Sequence, residues 1–200
     1  MDTAEPCKLF SCQVDKSPQN LDFSQRKSHI VKRILVPANM RDPFQNPFPP
    51  SDVARRSIWE MLVPRDIDAF LAADWSLVAD DFVEEGFIGI DGAKQVSPDK
   101  WRLAFPTLSA YRDEWLRQAK SFAGEELAED ARTAIFTTTT LEDIEVEGET
   151  ALVRKKFDGS IAKADGSRDV MQWQTLYYCR LHEGRWKICG FTGYLPNPMG

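Results

Sequence analysis

Residues 170–195, VMQWQTLYYCRLHEGRWKICGFTGYL, constrain the fold more than any other stretch, because they read as two long strands joined by a tight turn. Glu183-Gly184 supplies a two-residue turn in which glycine accepts the positive φ that favoured hairpin turns demand. Counting outward from it, His182 faces Arg185, Leu181 faces Trp186, Cys179 faces Ile188 and Tyr177 faces Gly190. One face then holds Met171, Trp173, Tyr177, Cys179, Leu181, Trp186, Ile188 and Tyr194, almost wholly apolar, and is expected to close the core. The opposite face mixes Gln172, Gln174, Arg180 and Lys187 with Leu176, Tyr178, Cys189 and Phe191. That face is too apolar for free solvent and predicts a partner surface.

The preceding chain fits around this hairpin. Gly148, Gly166 and Gly184 mark equally spaced turns, so the residues from Ala131 onward read as a meander of long neighbouring strands. In TAIFTTTTLEDIEVEG the apolar positions change parity between Leu141 and Ile144, which predicts a bulge near Glu142-Asp143. Asp158-Gly159 predicts either a second bulge or a premature turn. Upstream, Ser51 caps a helix that runs through Ile58, Trp59 and Leu62 to a break at Pro64, and a second helical stretch follows Asp66. EGFIGIDG is a short strand, and Ser97-Pro98-Asp99 starts a helix that Pro106 interrupts. A longer helix spans Thr107 to about Ala123, with Leu108, Tyr111, Trp115, Ala119 and Phe122 on its core face and Gly124 past its end. Together these elements predict an α+β fold, a curved antiparallel sheet whose concave side the preceding N-terminal helices fill.

Composition separates residues 1–50, an extension ending in a Pro-rich connector, from a domain at 51–200. Within the extension, Ile30 to Val36 form a β-prone run that reads equally as a tail or as a strap on its own or a neighbouring subunit. Residues 1–50 carry seven Lys/Arg against five Asp/Glu, and the remainder 18 against 26, so the body is acidic and is expected to bind no nucleic acid. No apolar run approaches the roughly 20 residues of a membrane span, and no signal peptide is evident, which predicts a cytoplasmic protein. Cys179 and Cys189 fall on opposite hairpin faces and Cys7 and Cys12 in the leader, so the four cysteines are expected to be free thiols with no metal site. His29 and His182 are expected on the surface.

The order of AFLAADWSLVADDFVEEGF, a strand, a long helix, GETALVR and LYYCRLHEGRWKICGF resembles the nuclear transport factor 2-like superfamily, which includes SnoaL-like and ketosteroid-isomerase-like proteins. The resemblance covers Ser51 to Leu195. It implies a cone-shaped curved antiparallel sheet wrapped around N-terminal helices, an apolar cavity within the cone, and homodimers that pair through the outer sheet face, here Leu176, Tyr178, Cys189 and Phe191. The isomerase base, five residues beyond the second Asp of Ala79-Asp80-Asp81, falls at Gly86, and the oxyanion-binding tyrosine falls at Asp66 or Leu62. Paired cavity histidines are lacking, and an Arg-Asp pair of the epoxide-hydrolase type could be built only from Arg112 with Asp91 or Asp113.

Glu85 and Asp91 are therefore the candidate catalytic carboxylates, and Tyr111, Trp115, Trp173, Tyr177 and Tyr194 the candidate ligand-binding aromatics for a small apolar or aromatic ligand. No cofactor is expected. Two function classes follow. One is a small-molecule site, either a carrier or a cofactor-independent lyase, isomerase or hydrolase. The other is a non-enzymatic dimeric interaction module with a filled cone.

Overall fold

The computed structural model describes residues 42–199. The Ile30–Val36 run, His29, Cys7 and Cys12 lie outside these residues. The helices are α1 (Val53–Glu60), α2 (Asp66–Ala72), α3 (Leu108–Ala123) and α4 (Ala131–Thr138). The strands are β1 (Ile88–Asp91), β2 (Arg102–Phe105), β3 (Thr139–Glu147), β4 (Thr150–Ala162), β5 (Arg168–His182) and β6 (Arg185–Leu195). They form one six-stranded sheet in the order β2-β1-β6-β5-β4-β3. The helices cover its concave face, the α+β cone expected from the sequence. The sheet is mixed rather than wholly antiparallel, because β1 lies parallel to β6. Gly190 lets these two strands approach, since a Cβ there would lie 2.6 Å from the Ile88 carbonyl oxygen.

Near the turn the hairpin register is as counted, with His182 opposite Arg185 and Cys179 opposite Ile188, and both Glu183 and Gly184 have positive φ. Beyond Cys179 the expectation fails. A bulge at Cys189 places Tyr178 opposite Gly190 and Tyr177 opposite Phe191, so Phe191 turns inward. It is buried 4.8 Å from the Tyr111 ring, and is no part of an outer partner surface. A second shift between Gln174 and Leu176 restores Tyr194 to the interior. Strand alternation flips at each extra residue, so two bulges leave Ile188 and Tyr194 on the expected face and move only what lies between them.

Other departures have local causes. Asp52, not Ser51, caps α1, accepting from the Arg55 N–H. Pro64 does not break the helix; the chain widens into a π-turn over Met61–Arg65 and continues as α2, because a residue without an N–H can be bridged by longer-range bonds. The segment 131–138 is α4 rather than strand. Asp130 accepts from both the N–H and the hydroxyl of Thr133, and Ala134, Ile135 and Phe136 are buried, so a cap and packing override the β preference of threonine. Ser97-Pro98 opens only a single 3₁₀ turn before β2. The bulge near Asp143 is present, whereas β4 runs straight through Gly159 opposite Met171. A Cβ at Gly159 would sit 2.9 Å from Thr138, so glycine there makes room for the end of α4. The connector also packs on the domain, with the Phe44 ring 4.6 Å from Phe136 and the Arg56 guanidinium donating to the Phe48 carbonyl.

Candidate functional site

Three cross-strand pairs on the concave face of β4 and β5 build the site: Val153 with Tyr177, Lys155 with Thr175, and Phe157 with Trp173. Odd-numbered residues of β4 point inward, so Lys155 takes a position that its neighbours Val153 and Phe157 fill with apolar groups. Ile67 and Phe70 of α2, Tyr111 and Trp115 of α3 and Ile135 of α4 face these strands. Between them lies a cavity of about 50 Å³, counted as space open to the centre of a water-sized sphere. One water needs roughly 10–15 Å³ by that measure and a cavity of about 150 Å³ takes up benzene, so this space holds a few waters and admits a ring only where lining side chains move.

One corner of the cavity is polar. Lys155, 1% exposed, donates from Nζ to the Leu62 carbonyl at 2.6 Å and to Asp66 Oδ2 at 2.7 Å. The π-turn around Pro64 disturbs the usual backbone ladder of this helix, and Lys155 takes up one of its carbonyls. Asp66 is half-buried, and its Oδ1 makes no hydrogen bond among the described residues. The same is true of the Thr175 and Tyr177 hydroxyls, both on residues that are buried and line the cavity. Burial pushes the Tyr177 phenol well above its ordinary range, with Tyr111 and Asp66 adding to the effect, so it stays a proton donor at neutral pH. Buried polar groups normally find partners, and here a donor, an acceptor and a hydroxyl line one small space.

Of the five aromatics expected at a binding site, Tyr111, Trp115, Trp173 and Tyr177 line this cavity. Tyr194 lines a second space of about 20 Å³, whose wall shares Tyr111, Thr175 and Tyr177 with the first. The carboxylates expected to act are elsewhere. Glu85 is exposed on the turn before β1, so it lacks the burial that would make it a useful base. Asp91 is buried, but its oxygens accept from the Ala93 N–H at 2.7 Å and from Arg102 at 3.0 Å, so it serves as a structural clamp between β1 and β2. Arg112 pairs with Asp113 on the surface, apart from Asp91. His182 ends β5 beside the turn.

Asp81 is buried; it accepts from Arg65 Nε at 2.6 Å and lies 3.6 Å from Arg185, tying the helical layer to the hairpin. Burial raises its carboxyl pKa despite the two arginines. The residues that sequence reasoning missed are Lys155, Asp66 and Thr175. Lys155 carried a signal, since it interrupts the apolar alternation Ala151, Val153, Phe157 on the core side of β4.

No protein-family model matches the sequence, and no curated protein does. Solved structures resemble it. A nuclear transport factor 2-like protein of unknown function from Pseudomonas putida is 15% identical, with a TM-score of 0.46 over 70% of this chain and 84% of that one. A nuclear transport factor 2-like protein with a cystatin-like fold from Novosphingobium aromaticivorans is 14% identical, with a TM-score of 0.43 over 70% of this chain and 80% of that one. A putative calcium/calmodulin-dependent protein kinase II association domain from Xanthomonas campestris is 13% identical, with a TM-score of 0.40 over 72% and 89%. The mixed curved sheet with helices on its concave face is the α+β architecture expected from the sequence. At such identities no activity comes with the likeness.

Proposed function

We propose that this chain binds a small ring-sized molecule in the cone, held between aromatic walls and the polar corner. The observation that carries the reading is the unspent polar set: Tyr177 and Thr175 hydroxyls and Asp66 Oδ1 all border one aromatic cavity. Tyr177 would donate to a ligand carbonyl or hydroxyl, and Asp66 would accept from it. Any reaction there would be proton transfer through Asp66 without a cofactor, the step common to the lyase, isomerase and hydrolase readings. Benzamide is a suitable first ligand, since it offers one ring, one acceptor and one donor group. The protein is expected to bind it with quenching of tryptophan fluorescence, and Tyr177→Phe to weaken it about three- to tenfold, the worth of one hydrogen bond. Failure of benzamide and other single-ring compounds, neutral or anionic, to bind would rule the reading out.

The interaction-module reading draws on the outer sheet face. Leu152 is 48% exposed there, opposite Tyr178 and beside half-buried Leu176. Lys156, Arg180 and Lys187 run through the same region, while the edge strand β3 exposes Glu142, Glu145 and Glu147. Basic and acidic strips on one surface suit a second copy of this chain, offset so that unlike charges meet. Leu152→Lys places an unpaired charge in that contact, and is expected to move the monomer–dimer midpoint at least tenfold in sedimentation equilibrium. A monomeric wild type, or a midpoint unmoved by the substitution, excludes this face as the dimer contact.

A further inference from the structure

Phe157, Trp173 and Tyr194 stand side by side across β4, β5 and β6 as a ladder of stacked rings. Trp173 is 4.8 Å from Phe157 at 27° and 5.9 Å from Tyr194 at 29°. Two cations rest on the ladder. Lys155 Nζ is 5.3 Å from the Phe157 ring, and Lys94 Nζ is 5.3 Å from the Trp173 ring. Their charges are handled differently. Lys155 is neutralised by Asp66, whereas the Lys94 ammonium makes no ion pair or hydrogen bond among the described residues. The carboxylate on the same segment, Asp91, is already taken by Arg102. One unspent positive charge, on an exposed lysine, therefore rests on a tryptophan whose side chain also lines the cavity.

The backbone that delivers Lys94 is strained. Ala93 and Lys94 have φ of 48° and 54°, and Tyr194 opposite them has φ of 52°, all in the left-handed region without glycine. Gly92 donates to the Gly193 carbonyl at 2.8 Å and Lys94 to the Tyr194 carbonyl at 2.7 Å, so the two strained segments hold each other. Asp91 secures the first through the Ala93 N–H. Side chains in such conformations persist only where surrounding structure enforces them, and they gather at ligand sites. A lysine needed only for solubility requires none of this. Partial burial also pushes its amine below the ordinary value, as expected for a cation that lacks a counter-charge.

We propose that Lys94 is the anion-binding residue of the cavity and that its ligand is a small aromatic monocarboxylate, with the ring against the Trp173 ladder and the carboxylate on Lys94 Nζ. This rests on the cavity reading above and goes beyond it by fixing the ligand's charge. Benzoate and benzamide separate the two, because they share a ring and differ in charge. Titrated by tryptophan fluorescence, the wild type is expected to bind benzoate at least tenfold more tightly than benzamide, since a charge-assisted contact near low-dielectric groups exceeds a neutral one. Lys94→Gln is expected to erase that preference, and Lys94→Arg to retain it. Equal binding of both compounds by the wild type, or a preference that survives Lys94→Gln, overturns the Lys94 assignment and leaves the cavity reading standing. Binding of neither compound overturns both.

Discussion

Lys155→Met is expected to destabilise the protein by about 3–5 kcal/mol, read as a lower urea midpoint at unchanged slope. The magnitude follows from what is left behind. Removing the ammonium leaves the Leu62 carbonyl without its 2.6 Å donor and Asp66 without its cation. Because the Asp66 side chain is 26% exposed, water can reach it, and the lower end of the range applies. The double variant Lys155→Met with Asp66→Leu tests the cause. If the cost arises from an orphaned charge, two apolar residues of similar volume are expected to recover all but about 1–2 kcal/mol, the remainder belonging to the Leu62 carbonyl. A double variant as unstable as the two single changes combined would show instead that the ion pair is itself a strong net contributor. Recovery in the double variant would mean that the pair is retained for the polar corner it makes rather than for stability.

Trp173→Ala is expected to cost about 3–5 kcal/mol, the usual range for emptying a large aromatic site, and to lower the melting temperature by on the order of 10 °C in circular dichroism. Trp173 is 2% exposed and sits between the Phe157 and Tyr194 rings, so no neighbour can move in without breaking a second stack. The same substitution removes the surface under Lys94 and one wall of the cavity. Trp173→Phe keeps an aromatic ring in the ladder, and is expected to cost less than half as much while preserving benzoate binding. Equal losses for alanine and phenylalanine would mean that neither the ring stack nor the volume that phenylalanine keeps carries the stability.

Much of the architecture was legible because it depends on near neighbours in sequence. Thr107 caps α3 by accepting from the Ala110 N–H, Gly124 follows its end, and the Glu183-Gly184 turn pairs the strands correctly for their first residues. Such rules have short range and their errors are also short. The bulge at Cys189 moved Phe191 inward, and glycines at 190 and 193 were the available hint, since glycine inside a strand marks a bulge or a close backbone approach. The candidate carboxylates were misplaced for a different reason. Glu85 and Asp91 were singled out by position in a pattern, whereas usefulness depends on burial and partners, which involve strands and helices distant in sequence.

The sequence by itself determined α1, α3, the long strands, the three glycine turns and most of the aromatic side chains that face the helices, because alternation, caps and turn chemistry act within a few residues. It misread α4 and β2, where packing and strand pairing decide. Only the tertiary structure decided what the cone contains. Lys155 meets Leu62 and Asp66 from about ninety residues away, and Lys94 reaches Trp173 across two strands. An ion pair or a cation on a ring is set by where independent elements come to rest, and its energy depends on the water that packing excludes. No local pattern encodes either.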